Sequence, residues 1–233
     1  MIFSIHQPCY FPWLGLLYKI ACSDSLIVLD EVQLSDSAFQ HRNQFLTNDG
    51  KVKYLTIPFV KQNYLETPFK ELKIADSSWG ANHRNFLLNN YRKHPFFDQI
   101  YPEIEPLYSR QAPYLVDVVM DSMHICMNLF AIETQVIMQS QISYNREVKK
   151  GNLVLQLLKA TNAKKYLSGR GAQAYQDDSV FETEGIALEY VDFSHPDYPQ
   201  KNSQEFVASL TCLDLLFNVG AKEAGLLLKG KSA

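Results

Sequence analysis

Ile2-Phe3-Ser4-Ile5-His6-Gln7-Pro8-Cys9-Tyr10-Phe11-Pro12-Trp13-Leu14-Gly15 opens the chain, and Leu26-Ile27-Val28-Leu29-Asp30 follows soon after. Ile2–Ile5 is a short apolar run of the kind a buried strand needs. Two prolines and a cluster of aromatics then stiffen a loop. From Leu14 to Cys22 the apolar positions Leu14, Leu17, Tyr18 and Ala21 recur at helical spacing, ending at Ser23-Asp24. Leu26–Leu29 is a second buried strand, stopped by Asp30. Strand, loop, helix and strand in so few residues predict a βαβ unit with parallel strands.

Outward from this unit the alternation continues. Gln33–Gly50 is polar and irregular, and Asn48-Asp49-Gly50 is a turn signal. Strands are expected over 53–59, 69–74 and 133–138. Helices are expected over 79–93, capped from Asp76-Ser77-Ser78, and over 97–108 and 114–130. The last third predicts a helix at 151–161, a strand at 165–167, a short helix through Tyr175, a strand at 186–193 and a helix over 206–219 closed by Gly220. The expected fold is a three-layer, Rossmann-like (nucleotidyltransferase-like) α/β sheet, mostly parallel, with a helical insertion or lid at 79–130. It forms one domain spanning 1–233.

Composition fits that expectation and excludes several classes. The 233 residues are enough to bury a core, with 46% hydrophobic and 20% charged residues. A net charge of −3 gives no global attraction to DNA or to anionic membranes. Cys9, Cys22, Cys126 and Cys212 lie far apart, without zinc-finger or disulfide-framework spacing, so reduced thiols and no metal are expected. The N-terminus lacks a basic start and is broken by Pro8 and Pro12, so it does not resemble a signal peptide. A cytoplasmic protein without membrane insertion follows as the expectation.

In a parallel α/β sheet, ligands bind beyond the C-terminal strand ends. Three polar stretches fall there: the His6–Gly15 loop, Asp30 with Gln33–Gln44, and Ser168-Gly169-Arg170-Gly171. His6 at a strand mouth could act as acid or base. Gln7, Tyr10, Trp13 and Lys19 crowd the same place. Gly15 would let an anion approach a helix N-terminus. Two glycines around Arg170 offer backbone N–H groups and a guanidinium fork for phosphate or carboxylate. Asp30 could bind a ribose or an amine, or end a strand. Arg42 and Asn43 have no evident structural duty. Phe11 is expected in the core, and Cys9 is set aside as a nucleophile.

The first unit resembles the opening of class I nucleotidylyltransferases, which place a histidine-containing loop over nucleotide phosphates. Trp13-Leu14-Gly15 stands where their second histidine motif would be. A closer resemblance covers essentially the whole chain. His6 through Gly15, Lys19-Ile20, Ser23-Asp24, Leu29–Gln33, Arg42-Asn43, Leu55–Pro58, Trp79, Tyr166–Gly169, Tyr198–Gln200, Ser209-Leu210 and Asp214–Gly220 resemble the WbqC-like protein family. Matching positions include His6, Gln7, Pro8, Tyr10, Pro12, Trp13, Gly15, Lys19, Asp24, Asp30, Gln33, Arg42, Asn43, Ser168, Gly169 and Asp214.

The resemblance implies bacterial surface-polysaccharide (O-antigen) biosynthesis and transfer of an acyl or aminoacyl group, such as glycyl, to an amino sugar. His6 is expected as general base. Lys19, Arg42 and Arg170 are expected to bind phosphate or carboxylate charge, and Trp13 and Tyr10 to stack on a base or sugar. Gln7, Asp30, Gln33, Asn43, Ser168 and Gly169 complete the expected binding set. The expected partners are a nucleotide sugar and an activated acyl donor, with no resident cofactor fixed and a homodimer left open. Nucleotidyl transfer and non-catalytic sugar-nucleotide binding are the competing expectations.

Overall fold

The computed structural model describes residues 1–35, 39–174 and 176–230. Asp36–Ala38, within the polar stretch, and Tyr175, at the end of an expected short helix, lie outside them. Five strands form one parallel sheet: β1 (Ile2–His6), β2 (Ser25–Val28), β5 (Gln135–Met138), β6 (Lys165–Ser168) and β7 (Ala187–Tyr190), in the order β5-β2-β1-β6-β7. Each is four or five residues long; the three inner strands, β2, β1 and β6, are buried as a doubly covered parallel sheet requires, and the outer β5 and β7 are half-buried to exposed. β1 lies at the centre, with Phe3 beside Ser25 on one flank and beside Tyr166 on the other.

The alternation along β1 and β2 divides the molecule into layers. Phe3, Ile5 and Ile27 point into one core with Leu153, Val154, Leu157 and Leu158 of α5 (Gly151–Ala160) and Phe181 of α6 (Asp178–Thr183). Leu26 and Val28 point into the opposite, larger core. There they meet α1 (Leu14–Ala21), α4 (Leu115–Leu129) and α7 (Cys212–Leu228). The sheet is therefore the middle of three layers. α2 (Trp79–Tyr91) and α3 (Phe97–Ser109) precede α4 between the fourth and fifth strands and extend the larger core.

Two expectations fail locally. The polar stretch before Gly50 contains a strand, β3 (Arg42–Leu46), which pairs antiparallel with β4 (Val52–Thr56) as a separate hairpin around the Asn48-Asp49-Gly50 turn. Residues 69–74 are not a strand. Phe69–Glu71 make a 3₁₀ turn, and Lys73 and Ile74 form only isolated bridges. Their apolar side chains, Phe69 and Leu72, are buried by that turn.

α7 also departs from expectation. It begins at Cys212, with Thr211 accepting from the Leu213 N–H as its cap, and continues to Leu228 past a break at Gly220. Gly220 kinks this helix instead of closing it. No helix among the described residues is long and apolar enough to cross a membrane.

Candidate functional site

The connections leaving β1 run toward β2 and β5, whereas those leaving β6 run toward β7 on the other side. Chain paths diverge between β1 and β6, which opens a crevice at the C-terminal ends of these strands. A cleft of about 730 Å³ occupies that position. Its size suits a whole small-molecule ligand. His6, Gln7, Trp13, Gly15 and Lys19 line it from the first unit, and Gly169, Arg170 and Gly171 from the loop after β6.

His6 ends β1, so its ring stands at the cleft floor. Its Nδ1 lies 2.8 Å from the Gln7 carbonyl oxygen. A carbonyl only accepts, so Nδ1 carries the proton and Nε2 keeps its lone pair. Trp13 meets the imidazole edge-on at 5.5 Å. Burial first, and then the Lys19 charge, lower the His6 pKa to about 3, against the opposing effect of the Gln7 bond. The ring is neutral at physiological pH.

Lys19 comes up from α1 and is only 5% exposed. Its Nζ donates to the Ile5 carbonyl oxygen at 2.9 Å. No carboxylate forms an ion pair with it among the described residues. Burial without a counter-charge disfavours the ammonium, and the pKa falls to about 8. At the mouth, Arg170 reaches Asp192 at 2.8 Å, both well exposed.

The other expected site residues stand elsewhere. Asp30 is buried and accepts from the Ser140 N–H at 2.9 Å and from its hydroxyl at 2.6 Å, which fixes the turn after β5. Asn43 is fully buried; its Nδ2 donates to the Tyr10 and Phe11 carbonyls at 3.1 and 2.6 Å. Tyr10 is a core side chain whose hydroxyl bonds His83 at 2.8 Å. Arg42 lies 4.8 Å over the Tyr54 ring on the hairpin. Gln33 is exposed and touches the site only through its carbonyl, which accepts from Gln7 Nε2 at 3.2 Å. The Ser168 hydroxyl is buried against the Gly169 carbonyl.

None of these six lines the cleft. Each is held by the structure beneath or beside it, and Gln33, Phe39, Gln40 and Asn43 brace the His6–Gly15 loop from behind. Phe11 shows how closely. Its φ of 40° is unusual for a bulky residue, and its carbonyl is held by both Asn43 and Thr211.

Sequence reasoning missed Lys150, Asp192 and Phe193, which also line the cleft. Extending the last strand to 193 hid Asp192 and Phe193; β7 ends at Tyr190, and they begin the loop beyond it. A Cβ on Gly15 would come within 3.1 Å of Phe193 and 3.2 Å of Trp13. Gly15 is therefore glycine for space at the cleft lip. Among the described residues, no three His, Cys, Asp or Glu side chains gather to hold a metal ion.

A model of the WbqC-like protein family matches residues 7–225. The chain is similar to the uncharacterized protein Rv1507c of Mycobacterium tuberculosis, 28% identical over 222 residues that cover 94% of each chain. No solved structure matches.

Proposed function

We propose, for a chain that belongs to the WbqC-like protein family, that it is an acyl or aminoacyl transferase of bacterial surface-polysaccharide biosynthesis. Its acceptor is the amine of a nucleotide-linked amino sugar, and its donor an activated acyl or glycyl group. The observation that carries this reading is one cleft at the switch between β1 and β6 holding an anchored neutral imidazole, a buried ammonium and a guanidinium.

Each group has a task. The amine nitrogen attacks the acyl carbonyl carbon, the C–N bond forms, and the donor's leaving group departs. The amine proton passes to His6 Nε2, whose ring orientation is fixed through Nδ1. That nitrogen is by itself a weak base, because burial and Lys19 oppose its protonation. A phosphate or carboxylate seated against Lys19 offsets that charge, the smaller of the two causes, and so makes His6 a stronger base. Arg170 and Lys150 attract the nucleotide phosphates, aided by the positive end of α1 at Gly15. Trp13 and Phe193 supply apolar surface for the base or sugar ring.

Purified protein, nucleotide-linked amino sugars and activated acyl donors give the test, with product followed by mass spectrometry. His6→Ala is expected to lower kcat by about 10²–10⁴-fold, the range for loss of a general base. Arg170→Ala should raise KM with less effect on kcat. Absence of product with every donor, together with full pathway function in His6→Ala cells, would overturn the reading.

Nucleotidyl transfer is favoured by one observation, the placement of His6 at the end of β1, where the loop to α1 begins. Release of pyrophosphate from a nucleoside triphosphate distinguishes it. Binding of a sugar nucleotide without turnover would instead favour a non-catalytic binder.

A further inference from the structure

Lys19 is unlike every other lysine in the described chain. It alone is buried, and it lies in a ligand-sized cleft with a backbone carbonyl as its hydrogen-bond partner. A surface lysine keeps its charge in water, whereas one buried in a cleft lined also by Ile5, Leu16 and Tyr166, with no ion pair to a carboxylate among the described residues, is destabilised as an ammonium. Its Nζ is nevertheless fixed in position, because one N–H is committed to Ile5 O at 2.9 Å. An amine that is positioned, desolvated and reachable from a cleft is the arrangement found for imine-forming lysines.

We propose that Lys19 is a carbonyl-reactive amine, forming an imine with an aldehyde or ketone that carries a phosphate or carboxylate group. The Nζ lone pair adds to the carbonyl carbon, and the C=O π pair moves to oxygen. His6 Nε2 takes a proton from the cationic Nζ and passes it to that oxygen, which gives a neutral carbinolamine. The nitrogen lone pair then forms the C=N bond as hydroxide departs, and the remaining Nζ proton passes through His6 to the hydroxide, which leaves as water, so no oxidant or further reactant is needed. Apolar walls slow the hydrolysis that would reverse the last step. Arg170 and Lys150 at the mouth select the anionic group.

This goes beyond the acyl-transfer reading, in which Lys19 stays protonated and only holds charge. With its pKa near 8, both forms are present just above neutrality. Pyridoxal 5′-phosphate is a suitable probe, being an aldehyde with a phosphate. The unsubstituted protein is incubated with it at pH 8, reduced with borohydride and mapped by peptide mass spectrometry.

The expected result is modification of Lys19 ahead of the exposed Lys149 and Lys150, slowed by inorganic phosphate and lost in Lys19→Arg. The labelling rate should rise through about pH 8 and then level. Modification of Lys149 and Lys150 with Lys19 unlabelled overturns the proposal. So does equal labelling by benzaldehyde, which lacks the anion. Neither outcome bears on acyl transfer, and loss of acyl transfer with Lys19 still labelled would leave this inference standing.

Discussion

Asn43 shows how a polar residue at a familiar-looking position can serve the backbone and never meet a ligand. Its amide joins the Tyr10 and Phe11 carbonyls, and its oxygen accepts from the Gln44 N–H at 2.8 Å. Asn43→Ala takes a donor from the buried Tyr10 and Phe11 carbonyls, the second of which keeps Thr211, and an acceptor from the part-buried Gln44 N–H. A loss of about 3 kcal/mol is expected, measured by urea unfolding, with a fall in activity because the His6–Gly15 loop loses its brace. Asp214 works similarly from α7, accepting from Tyr91, Tyr198 and Gln200. From sequence, Asn43 and His6 look equally exposed to chemistry. Only the sheet decides that one faces the cleft and the other a neighbouring loop.

The elements were legible where periodicity was strong. The first βαβ unit, the three helices from 79 to 130 and the helix at 151–160 all follow their apolar spacing. β3 was not legible, because Arg42-Asn43-Gln44 is polar and its pairing partner β4 supplies the reason for its shape. α7 was misjudged at Gly220 because a glycine usually ends a helix. Here it has φ 79° and ψ 165°, a conformation nearly confined to glycine, and helical turns resume beyond it. A Cβ there would lie 2.6 Å from the Phe96 ring. Gly220→Ala is therefore expected to cost about 3 kcal/mol, from backbone strain plus that clash. Thermal unfolding checks it. Phe96→Ala in the same chain should recover the part due to the clash and leave the strain.

For the whole molecule, strand order does most to build the site. Sequence spacing suggested a parallel sheet, but could not show that the sixth strand in chain order would lie beside the first. That neighbour relation brings Arg170 to His6, and leaves Asp30 and Arg42 outside the cleft. The interior of the molecule also sets a response to acid. Burial lowers His6 to about 3 and His41, His83 and His94 to about 4.

An unfolded imidazole titrates near pH 6.5, so between there and pH 4 the unfolded chain binds more protons. Stability should be full above about pH 6.5 and fall steadily as pH drops toward 4. Asp214, raised by burial, contributes with the opposite sign. Urea midpoints from pH 8 to pH 4 test this; a flat profile would contradict the neutral buried histidines. His83→Gln, which keeps polar contacts without titrating, should reduce the slope.

The Thr211 hydroxyl that holds the Phe11 carbonyl at 2.9 Å joins residues two hundred positions apart. During synthesis the first loop therefore emerges long before its last support exists. β1 likewise waits for β6, its partner from Ile2↔Lys165 onward. A nascent chain stalled near residue 160 would display β1 as a bare sheet edge, an invitation to association with other chains. Ribosome-arrested lengths should gain protease resistance only once Thr211 and α7 have left the exit tunnel, making the cleft end of the protein among the last parts to set.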